Sequence, residues 1–112
     1  MGAIDRALST VPPKSVVMDD FGISGWLLWS HPELVPAADL RMEIYPTDYL
    51  HRYIDAGNAA PGWEAFVARI GARYALVERK SAIADALVHE RHWAPMATSS
   101  TFVLLRAPQA NP

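Results

Sequence analysis

Two spacings of apolar residues alternate along this chain. Runs that are apolar or small at every position, Ser15–Met18 and Tyr74–Val77, read as strands buried on both faces. Between them lie segments with apolar residues three and four apart, the signature of a helix with one buried face. Ile4 and Leu8 mark such a face on a short helix over Ala3–Thr10, which Pro12-Pro13 ends. Ile23, Trp26 and Leu27 mark a second, closed by Pro32, and Val35–Asp39 follows as a strand whose Pro36 suits an edge. Thr47 is placed to cap a helix carrying Tyr49, Leu50, Tyr53 and Ile54, stopped at Gly57-Asn58. Trp63, Phe66, Val67 and Ile70 give the cleanest helical repeat, with Gly71 as its C-terminal cap. Ser81 opens a further helix with Ile83, Leu87 and Val88 inward, and Trp93–Ala97 and Thr101–Leu105 form a closing hairpin around Thr98-Ser99-Ser100.

This order predicts an α/β fold: a single three-layer sandwich with a mostly parallel sheet of about five strands and an antiparallel C-terminal hairpin edge. The expected division is a helix and Pro-containing linker over 1–14, the α/β domain over 15–107, and a disordered tail over 108–112.

Composition narrows the function. At 112 residues the chain supports one core, and 51% hydrophobic with 20% charged residues argues against disorder. A net charge of -2 with no Lys/Arg cluster predicts no nucleic-acid partner. The absence of cysteine removes disulfides and thiolate nucleophiles. No apolar run approaches the ~20 residues of a membrane helix, and no signal-peptide core is visible, so the chain as given reads as soluble.

In a sheet of this kind, residues just past the strands' carboxyl ends meet in one crevice. Asp19, Asp20, Asp39 and Arg41 fall at such ends, and the candidate site they form is a small polar pocket for a sugar, phosphate or cation, with Trp26 or Tyr45 as an apolar wall. The competing reading is scaffolding: Asp20 or Ser24 caps the first helix of the sandwich, and Asp39 pairs with Arg41.

Other motifs carry less. His89 and His92 stand three apart where a metalloprotease helix needs four, so no metal site is expected. Gly22-Ile23-Ser24-Gly25 lacks the glycines of a dinucleotide fingerprint and the lysine of a phosphate loop, so no cofactor is expected. His31 reads as a helix C-terminal residue, and Ser24 has no local base, which leaves no catalytic residue to name.

The blocks resemble, over residues 8 to 107, the C-terminal soluble domain of polytopic bacterial membrane glycosyltransferases of the GT-C type and related uncharacterised membrane proteins. Val16–Leu28 matches the strand, acid and glycine that lead into a Gly-aromatic-Leu-x-Trp helix, and Asp39–Tyr45 matches an Asp-x-Arg-x-acid-x-Tyr segment, with Leu40 where the family often has glycine. Gly62-Trp63, Gly71–Val77 and Trp93 agree with later blocks. The resemblance implies a non-catalytic accessory module on the extracytoplasmic face of the membrane. In it the module positions an acceptor glycan or lipid-linked sugar, or packs on the membrane-embedded part of its own parent chain. The family's catalytic acid lies in a part of the parent absent here.

Weak self-association through Trp29, Leu34 and Val35, or through the first helix, accompanies this reading. Two alternatives stay open: a small-ligand-binding α/β domain, and a receiver-like phosphoacceptor, for which Asp19-Asp20 fits but Glu78-Arg79-Lys80 replaces the acceptor aspartate.

Overall fold

The computed structural model describes residues 2–37 and 46–108. The elements run α1 (Gly2–Leu8), β1 (Val16–Asp19), a 3-10 turn (Phe21–Ile23), α2 (Ser24–Ser30), β2 (Val35–Pro36), α3 (Thr47–Gly57), α4 (Trp63–Arg69), β3 (Tyr74–Glu78), α5 (Ala82–Arg91), β4 (Ala94–Thr98) and β5 (Phe102–Arg106). They form one five-stranded sheet in the order β2-β1-β3-β5-β4. β1 pairs in parallel with β2 on one side and β3 on the other. β5 lies antiparallel to both β3 and β4, so β4 points the same way as the first three strands and β5 alone runs against them.

Strand alternation sends successive residues to two separate cores. Val17, Leu76 and Leu104 join Ile4, Leu8, Val11, Ile23, Leu27 and Leu34 on the face covered by α1 and α2. Met18, Ala75, Val77, Val103 and Leu105 meet Tyr53, Phe66, Val67, Ile83 and Leu87 on the face covered by α3, α4 and α5. This is the predicted three-layer sandwich, and the apolar character of both faces explains why the strands show no polar alternation.

Local chemistry fixes the helix ends. Ser81 accepts from the Ala84 amide at 3.2 Å and caps α5, while His92 turns left-handed at φ 60° and lets the Trp93 amide close on the Leu87 carbonyl at 3.0 Å. Gly62 (φ 96°) precedes α4 and Gly71 (φ 71°) follows it, both in the region where a Cβ is strained. Thr47 is not a cap: Pro46 holds that position without a side-chain bond, and Thr47 is the first helical residue.

One position differs from the periodicity, and two expectations about docking faces are overturned. Ile54, expected inward, is 51% exposed, because α3 buries the stripe through Tyr53 and Ala56. Leu34, expected on a docking face, is buried under the sheet with Ile23 and Leu27. The first helix, expected to dock loosely, buries Ile4 and Leu8 completely. His31, at the C-terminal end of α2, joins that helix to the rest: its Nε2 meets Asp5 at 2.7 Å, its Nδ1 meets Glu33 at 3.4 Å, and its ring lies edge-on to Trp26 at 5.8 Å.

Both outer strands carry a proline, Pro36 in β2 and Pro95 in β4, and the β4 register shifts between Pro95 and Ala97.

Candidate functional site

The order β2-β1-β3 places a topological switch at the carboxyl ends of β1 and β3, because the chain leaves β1 toward α2 on one face and leaves β3 toward α5 on the other. A cleft of about 230 Å³ opens there. Asp19 and Asp20 form its sheet side, Tyr53 and Asn58 its α3 side, and Ile83 of α5 and Phe21 its apolar ends.

Each polar group is held by the fold. Asp19 ends β1 and is buried, and its carbonyl accepts from the Tyr53 hydroxyl at 2.7 Å, which ties α3 to the end of the sheet. The Asp20 amide extends the ladder to the Leu76 carbonyl at 2.9 Å. The Asp20 carboxylate accepts from the Gly22 amide at 2.8 Å through Oδ1 and so caps the 3-10 turn. Asp20 was expected to cap the helix itself; it caps the 3-10 turn that leads into α2, whose own N-cap, Ile23, makes no side-chain bond. Ser24 does not cap; it is buried as the first residue of α2 and its hydroxyl donates to the Phe21 carbonyl at 2.8 Å.

Trp26 lies elsewhere. It lines an open hollow of about 400 Å³ with Ile23 and the hairpin tip Ser99–Phe102, which Arg79 braces by donating to the Ser99 carbonyl at 3.2 Å. The structure thus brings Asp19 and Asp20 together and places Trp26 in a separate hollow. Asp39, Arg41 and Tyr45 lie outside the described residues. The Tyr49 hydroxyl donates to the Ala37 carbonyl and pins the chain where β2 ends.

Tyr53 and Asn58 were not read from the sequence as site residues. Tyr53 counted toward a helix's apolar stripe and Asn58 toward its stop, and both readings are true of them as well. The available signal was position: both sit at the end of α3 that the topology returns to the carboxyl edge.

Asp19 and Tyr53 are buried and the Tyr53 hydroxyl is taken up by the Asp19 carbonyl, so the half-buried Asp20 carboxylate and the exposed Asn58 amide are what the rim presents, and these suit a ligand that donates hydrogen bonds, such as a polyol, better than an anion. Among the described residues no group of three or more His, Asp and Glu is gathered for a metal. The hydroxyl of Ser24 and both ring nitrogens of His31 are engaged as given above, so these two do not form a nucleophile–base pair. Among the described residues no helix is long and apolar enough to cross a membrane. The chain matches no family model, and comparison with curated proteins and with solved structures returned no match.

Proposed function

We propose that this chain is a non-catalytic accessory module of a membrane glycosyltransferase-like protein, positioning a glycan or lipid-linked sugar at the carboxyl edge of its sheet. The observation that carries the reading is the switch-point cleft, whose rim offers acceptors to sugar hydroxyls and whose Asp20 is already held by the fold. The membrane parent and its extracytoplasmic face rest on the resemblance of Val16–Leu28 and Asp39–Tyr45. The receiver-like alternative needs parallel neighbours on both sides of β3; here β1 is parallel on one side but β5 on the other is antiparallel.

Asp20→Asn tests the site. Asparagine is as good a helix cap as aspartate, so the fold and its melting temperature should hold while the charge is lost. Titration with short neutral glycans and a prenyl-phosphate sugar should show saturable binding, weakened about tenfold in Asp20→Asn, the scale of one charge-assisted hydrogen bond. The same chain should neither transfer sugar nor hydrolyse esters above background. Unchanged binding in Asp20→Asn makes the residue a cap only, and turnover abolished by it overturns the accessory reading. The parent is tested by the reading frame upstream of residue 1, where hydrophobic helices of ~20 residues are expected and an immediate stop codon would overturn it.

Packing against the membrane-embedded part also leaves a mark on the surface. Trp29 is 87% exposed on α2 and Val35 is 44% exposed. An exposed tryptophan and a half-exposed valine favour weak association of isolated copies. Trp29→Ser should remove the concentration dependence in sedimentation equilibrium, and a wild-type chain that stays monomeric at millimolar concentration rejects this face.

A further inference from the structure

The helical hairpin of α3 and α4 carries a second arrangement, which shares no residue with the switch-point cleft. Each helix presents an aromatic residue followed three positions later by an arginine: Tyr49 and Arg52 on α3, Phe66 and Arg69 on α4. Residues three apart lie on one helical face, so each ring and its guanidinium are neighbours. The two rings meet with centroids 5.3 Å apart, tilted by 55°. Along them run two hollows of about 420 and 270 Å³, and Arg52, Phe66 and Arg69 line both, which makes one groove with the two arginines at its waist.

The two arginines of this groove stand beside two aspartates without pairing to them. Asp48 and Asp55 flank Arg52 along α3, yet among the described residues neither Arg52 nor Arg69 forms an ion pair or hydrogen bond. Two like charges facing one groove are stabilised by an anion between them, and planar guanidiniums match phosphate or carboxylate oxygens in pairs. The floor beneath them is apolar, made by Tyr49, Phe66 and Ile70. Asp48 lines one end of the groove and Asp55 the other, where they repel any second negative charge. The volume of the larger hollow falls in the range of about 300–1,000 Å³ typical of small-molecule sites.

We propose that the α3–α4 groove binds a small organic anion, with one compact phosphate or carboxylate held between Arg52 and Arg69. An uncharged aromatic or branched apolar body lies against Tyr49, Phe66 and Ile70. Both parts are needed, since the arginines alone are solvated and the apolar floor alone has no specificity.

Phenyl phosphate is the probe, with inorganic phosphate and benzyl alcohol as its two halves, titrated calorimetrically into the full chain. One saturable site is expected, at least about tenfold tighter for phenyl phosphate than for either half. Arg52→Gln with Arg69→Gln should weaken it by at least about tenfold, while Arg106→Gln, an exposed arginine on β5, leaves it unchanged. Both groove arginines are exposed, so the double variant should melt with the wild type; if it melts early, Arg52→Lys with Arg69→Lys keeps the charge and should still lose affinity. Absence of saturable binding at millimolar phenyl phosphate, or equal binding by the Gln variant, overturns the proposal. Arginine-dependent sedimentation with phosphatidylglycerol vesicles, without binding of phenyl phosphate, also overturns it and assigns the face to a membrane surface.

Discussion

Replacing Ile4 and Leu8 together by alanine should remove a large part of the chain's stability at 25 °C. Both side chains are fully buried, in the core they share with Val17, Leu27, Leu76 and Leu104. Each truncation removes apolar burial and leaves a cavity, at about 2–5 kcal/mol per side chain, and the pair should lose about 4–8 kcal/mol even with some overlap between neighbours one turn apart. A domain of this size has a total stability of about 5–15 kcal/mol. Arg6→Ala, on the exposed side of the same helix, should change stability by less than about 0.5 kcal/mol. Urea melts of the two variants check the contrast, and a double alanine variant with a near-native midpoint would show that α1 is dispensable. For the same reason, deleting residues 1–11 cannot probe association through α1, because it removes part of the core.

The second large effect is at His31. His31→Ala should lower stability by about 1–3 kcal/mol, because it strips the buried partner from Asp5 and Glu33 and removes the ring that packs edge-on to Trp26. Asp5→Asn, with His31 in place, should keep most of the wild-type stability, since an amide can still meet Nε2. The double variant His31→Ala with Asp5→Ala should be no worse than His31→Ala alone, because the two losses are one contact. Denaturant midpoints decide; additive losses would mean that the contact at 2.7 Å contributes nothing to stability.

The particular residues show which parts of the fold could be read in the chain and which could not. Val16–Met18 and Tyr74–Val77 announced buried strands because both of their faces are covered, and Trp63, Phe66 and Val67 announced α4 because they make one unbroken stripe. Which strand of the hairpin would sit inside the sheet was not written there, since β4 and β5 look alike until β5 pairs with β3. Ile54 misled because α3 is covered on a narrower face than its pattern suggests. His31 looked like an ordinary helix end because its partner Asp5 is 26 residues away, and local spacing carries no such pairing. The same limit hid the groove: Tyr49 and Phe66 were counted on apolar helix faces, Arg52 and Arg69 were not singled out, and only the packing of α3 on α4 brings the two pairs together. At the cleft, Asp19 and Asp20 were legible from their place after a strand, whereas Tyr53 and Asn58 needed the third dimension.

The prolines of the outer strands decide how copies of this molecule can meet. The amides of Val35 and Ala37 point inward to the Ser15 and Val17 carbonyls, so the donor that Pro36 lacks is the one that would have faced outward from β2. At the opposite border, Pro95 and the register shift beside it interrupt β4. Among the described strands both borders are blunted this way, which disfavours adding a strand from a neighbour, whether a second copy, a peptide or a growing fibre. Contact with a partner is therefore left mainly to side chains, where it stays reversible and can be tuned one residue at a time.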